Sequence, residues 1–128
     1  MENSKILLLF QTWGGLTSSY QFEVSLSEDG LLKAVVVGDE EGRKASITLS
    51  ADETKAIHEL ALQAINEPNL TECDLIMDGT SGRLTVLVGS ENITRGCSHT
   101  SGWPPEGSIA SRLLAEIETR IPKEIWES

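Results

Sequence analysis

Residues 20–37 read YQFEVSLSEDGLLKAVVV, and this stretch decides the fold. Apolar and polar side chains alternate from Tyr20 to Leu26, which is typical of a strand with one buried face. Asp29-Gly30 is a strong turn signal, and the aliphatic run from Leu31 to Val37 predicts a further strand. Strands joined by such short turns pair with their neighbours in antiparallel fashion, so we expect an antiparallel sheet.

The same pattern extends on both sides into a four-stranded meander. Upstream, Ile6 to Phe10 is a continuous apolar run, as expected of a strand covered on both faces. Trp13-Gly14-Gly15-Leu16 follows it and predicts a turn, because glycine relieves the steric penalty of positive φ. Downstream, Ala45, Ile47 and Leu49 recur at every second position and predict a fourth strand.

A first helix follows the meander. Ser50 and Glu53 have the spacing of a capping box, in which each side chain accepts a hydrogen bond from the other residue's backbone. Glu67-Pro68 predicts the end of the helix, since the residue before proline avoids the helical region. The apolar stripe on one helix face consists of Ala56, Ile57, Leu60, Ala61, Ala64 and Ile65.

The second half of the chain repeats the order of strands and then a helix. Strands are predicted at Asp74 to Met77, Arg83 to Val88 and Asn92 to His99, with Asp78-Gly79 to Gly82 as a hairpin turn. A second amphipathic helix is predicted to end at Pro122, with an apolar stripe of Ile109, Leu113, Leu114, Ile117 and Ile121. Isolated helices of this length are marginal in water, so both must pack on the sheet.

These elements predict one domain over residues 1–128. Its class is α+β, in the order ββββ-α-βββ-α, with a mostly antiparallel sheet and both amphipathic helices on one face. At 128 residues, with 39% apolar side chains, the chain is long enough to bury a core of its own. We expect it to fold without a metal or a disulfide.

Charge excludes several classes of partner. Twenty acidic side chains against ten Lys and Arg give a formal charge of −10. Such a surface repels nucleic-acid phosphates and anionic membranes, and it attracts a basic protein. The alternative is that the acidity serves only to keep the protein soluble.

The beginning of the chain and its two cysteines bear on location. Met1 to Phe10 has neither the basic start nor the long apolar region of a signal peptide, and no window approaches a membrane span. We therefore predict a cytoplasmic protein in which Cys73 and Cys97 are reduced.

Histidines and cysteines offer little chemistry. His58-Glu59 resembles the start of a zinc-protease helix motif, but Leu62 stands where the second histidine would be. Cys97 and His99 would share one face of a strand, which leaves a small cysteine enzyme as an alternative. Buried cysteine acting as a small hydrophobe is the favoured interpretation. No catalytic residue, metal ligand or cofactor is predicted.

Tryptophan placement gives the sharpest functional signal. Trp13 adjoins Gly14-Gly15, and Trp103 stands before Pro104-Pro105. Tryptophan is enriched at binding hot spots, and a proline-stiffened backbone lowers the ordering cost of association. The competing interpretation is that these rings cover the core under their loops. The predicted contact residues for a protein partner are Trp13, Gly14, Gly15, Leu16, Trp103, Pro104 and Pro105.

Two parts of the chain resemble the emfourin-like small bacterial proteins. One is the opening hairpin from Lys5 to Leu26, with its Gly14-Gly15 turn. The other runs from Asp78-Gly79 through the Leu84-Val86-Val88 strand and Pro104-Pro105 to Leu113-Leu114. The named member of that family inhibits a thermolysin-type metalloprotease, so the resemblance implies protease inhibition. It assigns no functional residue in this sequence.

The sequence therefore predicts a non-catalytic protein-binding module. Three alternatives remain open: an acidic immunity-type protein that neutralises a basic toxin, a small enzyme using Cys97 and His99, and a subunit that self-associates through a sheet face or edge.

Overall fold

The computed structural model describes residues 5–13, 21–37, 44–71, 80–100, 104 and 107–121. The described elements confirm the α+β class. The predicted strand from Asp74 to Met77 lies outside the described residues. In chain order the elements are β1 (Ile6–Trp13), β2 (Gln21–Ser27), β3 (Leu31–Val37), β4 (Lys44–Thr48), α1 (Ala51–Ile65), a 3₁₀ turn (Pro68–Thr71), β5 (Thr80–Val88), β6 (Glu91–Thr100) and α2 (Ile109–Glu118).

The strands form one six-stranded antiparallel sheet in the order β4-β3-β2-β1-β5-β6. The first four strands are the predicted meander. The later hairpin adds on the β1 side, so β1 lies between β2 and β5. Its Phe10 pairs with Val24 of β2 and with Leu84 of β5.

One face of the sheet holds the core. Alternate residues of the strands point to this face, and both helices contribute their apolar stripes to it. The fully buried side chains include Leu8, Phe10, Val24, Leu26, Leu32, Val36, Leu84, Val86, Leu113 and Ile117. In α1 the stripe is shifted from the prediction, because Ala56 is exposed and Thr54 is buried.

On the opposite face of the sheet, the first strand is only partly covered. The prediction that it is covered on both faces is therefore wrong. Leu9 is only half-buried, and its neighbours across the sheet are Ser25 and Thr85. The pairing register shifts between Ile6 and Leu8, and Ile6 is 46% exposed. The run of Leu residues in β1 therefore alternates between a buried face and a partly exposed one.

Three predicted boundaries are wrong. Trp13 belongs to β1, where it pairs with Gln21 and Ser81, and is not part of a turn. The segment 80–82, predicted as a hairpin turn, belongs to β5. The second helix ends at Glu118, before Pro122.

The two helices run antiparallel and are linked at both ends. At one end, Arg120 Nε donates a hydrogen bond to Glu53 Oε2, 3.2 Å away. At the other, the Ala110 N–H donates to Glu67 Oε1 at 3.0 Å. A carboxylate suits this position, because the first N–H groups of a helix lack intrahelical partners. Among the described residues, no helix is long and apolar enough to cross a membrane.

Candidate functional site

The ends of three adjacent strands lie together at one end of the sheet, which we call the loop end. β1 ends there at Trp13, β5 begins there at Thr80, and β6 ends there at Thr100. Pairing confirms the alignment, since Trp13 pairs with Ser81 and Thr80 pairs with Thr100. Neighbouring strands are about 4.8 Å apart, so the points where the chain leaves β1 and β6 are about 10 Å apart.

Both tryptophan-containing segments predicted from the sequence begin at the loop end. The first, 13–16, starts at the last residue of β1, and the second, 102–105, starts two residues after the last residue of β6. Among the predicted contact residues, the structure describes the backbone of Trp13 as part of β1 and places Pro104 in a half-buried bend. Gly14, Gly15, Leu16, Trp103 and Pro105 lie outside the described residues.

The loop end is supported by the centre of the sheet. β1 is paired on both sides, and its inward-facing residues Leu8 and Phe10 are almost fully buried. A loop that follows a paired and buried strand starts from a fixed position. Many proteins hold their binding residues on loops that such a rigid scaffold positions. The starting points of the two loops lie close together because β5 pairs with β1. No local sequence signal indicates that pairing.

The expectation that the cysteines are reduced is wrong for Cys97. It is buried and disulfide-bonded, and the sequence contains one other cysteine, Cys73, outside the described residues. Its Sγ lies 3.3 Å from the carbonyl oxygen of Leu70, in the 3₁₀ turn after α1. A disulfide sulfur is not a thiolate nucleophile, so this state of the protein lacks the group that the cysteine-enzyme alternative requires. Disulfides persist in oxidising compartments, which weighs against the predicted cytoplasmic location.

His58 has a structural contact. It is half-buried on α1, as expected of a helix residue at the edge of the apolar stripe. Its Nε2 lies 2.9 Å from the carbonyl oxygen of Leu87 in β5. Because a carbonyl oxygen only accepts, the imidazole must donate from Nε2. The ring therefore connects the helix to the sheet through a backbone group.

The partly exposed face of the sheet carries cations among polar side chains and half-buried aliphatic ones such as Leu9. Lys33 and Arg83 are exposed there, and Gln11 Nε2 donates to Glu23 Oε1 at 2.9 Å between them. Register places Glu23, Gln11 and Arg83 side by side on three adjacent strands. This face thus differs in charge from the acidic protein as a whole.

Neither a protein-family model nor a curated protein matches this chain.

Proposed function

We propose that this protein is a non-catalytic protein-binding module that contacts its partner through the loop end of the sheet. One observation carries the proposal: the two tryptophan-containing segments leave the sheet from strands that flank β5, about 10 Å apart. We expect segments that start so close together to contribute to one surface. Interface hot spots cluster in the same way near the centre of a contact area.

Charge indicates the class of partner. The formal charge of −10 attracts a basic protein surface and accelerates its association at low salt. In its specific form, the proposal is inhibition of a thermolysin-type metalloprotease, as the emfourin-like resemblance implies. Neutralisation of a basic toxin is the other specific form, and the same acidic surface supports it.

Tryptophan substitutions test the general proposal. Trp13→Ala and Trp103→Ala are compared with Trp126→Ala, which changes the one other tryptophan in the chain. The bait proteins are used to capture partners from lysate of the native host at low and at high salt. We expect the first two variants to lose a partner that the wild type and Trp126→Ala both retain. Loss of a hot-spot tryptophan costs about 2 kcal/mol or more, which is roughly thirtyfold in affinity.

Two results would contradict the proposal. One is the absence of any partner at either salt concentration. The other is a partner that all three variants retain equally. Titration of a purified thermolysin-type protease with the wild-type protein then separates the specific forms, because an inhibitor lowers the rate of peptide cleavage and a toxin-neutralising protein does not.

A further inference from the structure

The outer edge of β6 presents backbone groups that point away from the sheet. Nη1 of Arg95 donates to the carbonyl oxygen of Thr94 at 2.9 Å, so that carbonyl is directed away from β5. The hydroxyl oxygens of Thr94 and its β5 partner Thr85 are 2.9 Å apart. Side chains come this close in the non-hydrogen-bonded pairs of an antiparallel ladder. Both observations indicate that Thr94 turns its N–H and C=O outward, and by alternation Asn92 does the same.

Along residues 91–95 this edge is accessible, and no other described strand pairs with it. β6 has ten residues, whereas β4, at the other edge of the sheet, has five. Four of the five side chains between positions 91 and 95 are exposed, and the fifth, Ile93, is half-buried against the core. An edge of this kind is a template for another strand unless something covers it.

We propose that the edge binds the same edge of a second copy of this chain, antiparallel, about a two-fold axis through Ile93. In that register Asn92 of each copy lies opposite Thr94 of the other. Their outward N–H and C=O groups form the hydrogen bonds of the new ladder. The two Ile93 side chains meet at the axis, on the face that carries the helices, and the result is a continuous twelve-stranded sheet from two six-stranded ones.

Charge complementarity selects this partner and this register. A two-fold axis through Ile93 places Glu91 of each copy directly opposite Arg95 of the other, on the same face as Ile93. Opposite charges at such positions stabilise a strand pair, and the symmetry provides the pair twice. An axis at Thr94 would instead place Arg95 opposite Ile93 and leave Glu91 opposite Cys97. In the dimer the Thr94 carbonyl accepts a hydrogen bond from the second copy, so Arg95 releases it. The Arg95 guanidinium then turns to Glu91 of the second copy.

This surface is distinct from the loop end. Residues 91–95 are in the first half of β6, and the loop end lies beyond its last residue, Thr100. A dimer formed here leaves both loop ends uncovered and directs them to opposite sides. The proposal therefore does not depend on the proposed function, and its test needs no other protein.

Sedimentation equilibrium of the purified chain over a concentration series up to the millimolar range tests the pairing. We expect the 13.9 kDa chain to approach twice that mass. Glu91→Arg and Arg95→Glu should each weaken the dimer about tenfold or more, because each places like charges opposite one another twice. The double variant Glu91→Arg/Arg95→Glu should restore it. Lys33→Glu makes the same charge change as Arg95→Glu on β3, and it should leave the dimer unchanged.

A backbone variant provides a second test. Thr94→Pro removes an outward N–H that β5 does not use, so it should abolish the dimer, while Thr94→Val retains the N–H and should keep it. Circular dichroism of the proline variant checks that the monomer is folded, and the charge series decides the question if it is not. A wild-type protein that stays monomeric, single reversals without effect, or a double variant that fails to recover would each overturn the proposal.

Discussion

The Glu53 carboxylate, in the first turn of α1, accepts a hydrogen bond from the Arg120 guanidinium, just beyond the end of α2, over 3.2 Å. Its other oxygen accepts the backbone N–H of Ser50 at 3.3 Å and completes the capping box. Arg120 also contacts the carboxylate of Glu116, one turn back in α2, at 3.1 Å. One carboxylate thus caps the first helix and holds the end of the second.

Replacing Glu53 by Gln should change how stability depends on pH. The Ser50 backbone hydrogen bond, and then the one from Arg120, hold the pKa of Glu53 below its ordinary value of 4.5. A carboxyl with a lowered folded-state pKa stabilises the protein above its unfolded pKa, and the contribution disappears as pH falls through the folded value. We expect Glu53→Gln to be less stable than wild type at neutral pH, with the difference shrinking from about pH 4.5 and disappearing only below the lowered folded-state pKa.

Urea unfolding followed by circular dichroism across this pH range measures the effect. Asp52→Asn is the matched control, since Asp52 is also in the first turn of α1 and makes none of the hydrogen bonds of Glu53. A stability difference between Glu53→Gln and wild type that stays constant into acid would contradict the prediction.

Replacing Glu118 by Gln should change stability at neutral pH in the opposite direction. Glu118 is the last residue of α2, and desolvation raises its pKa above the ordinary 4.5. The folded state then binds the proton more tightly than the unfolded state, so ionisation at neutral pH opposes folding. We expect Glu118→Gln to be more stable than wild type at neutral pH, with the gain declining as pH falls through the raised folded-state pKa and disappearing below about 4.5. The same urea series measures it, and a variant less stable than wild type at neutral pH would refute the prediction.

Features that depend on neighbouring residues could be predicted from the sequence. The capping box of Ser50 and Glu53 and both bounds of β3 are confirmed, because each depends on residues a few positions apart. The link from Glu67 to Ala110 spans 43 residues and follows from the antiparallel packing of the helices, which no local pattern encodes.

Segment 80–82 shows that glycine is an ambiguous turn signal. Gly82 predicts a turn, yet it lies in β5 opposite Cys97 and next to Thr12 of β1. A Cβ on the neighbouring Gly96 would collide with the Gly82 carbonyl oxygen, so the glycine at 96 allows two strands to approach closely. The loop end likewise depends on strand pairing that neighbouring residues do not indicate. The sequence indicates Trp13 and Trp103 as contact residues, but the nearness of their two segments depends on β5 pairing with β1.

Gly30 should tolerate no side chain. Its φ is +90°, and an added Cβ would lie 2.6 Å from the Leu49 carbonyl oxygen and 3.1 Å from Thr54 Oγ1. Gly30→Ala therefore combines left-handed backbone strain with overpacking, and we expect a loss of about 3 kcal/mol in the free energy of unfolding. Gly89→Ala is the control, since φ there is +65° and no heavy atom lies within 4 Å of the added Cβ. It should lose only about 1 kcal/mol, and equal losses in a denaturant titration would show that the Leu49 contact is unimportant.

The Cys97 disulfide gives the last prediction, and it also bears on where the protein works. The chain has two cysteines, so a protein with its disulfide intact should react with no thiol reagent even in denaturant. Reduction should lower the free energy of unfolding by about 3 kcal/mol, chiefly because the unfolded chain regains conformational freedom. A Cys73→Ala/Cys97→Ala variant should be insensitive to reductant, which separates loss of the disulfide from other effects of the reagent. Trapping thiols with acid in the native host before lysis then tests location: two free thiols per chain would restore the cytoplasmic prediction, and none would place the protein in an oxidising compartment.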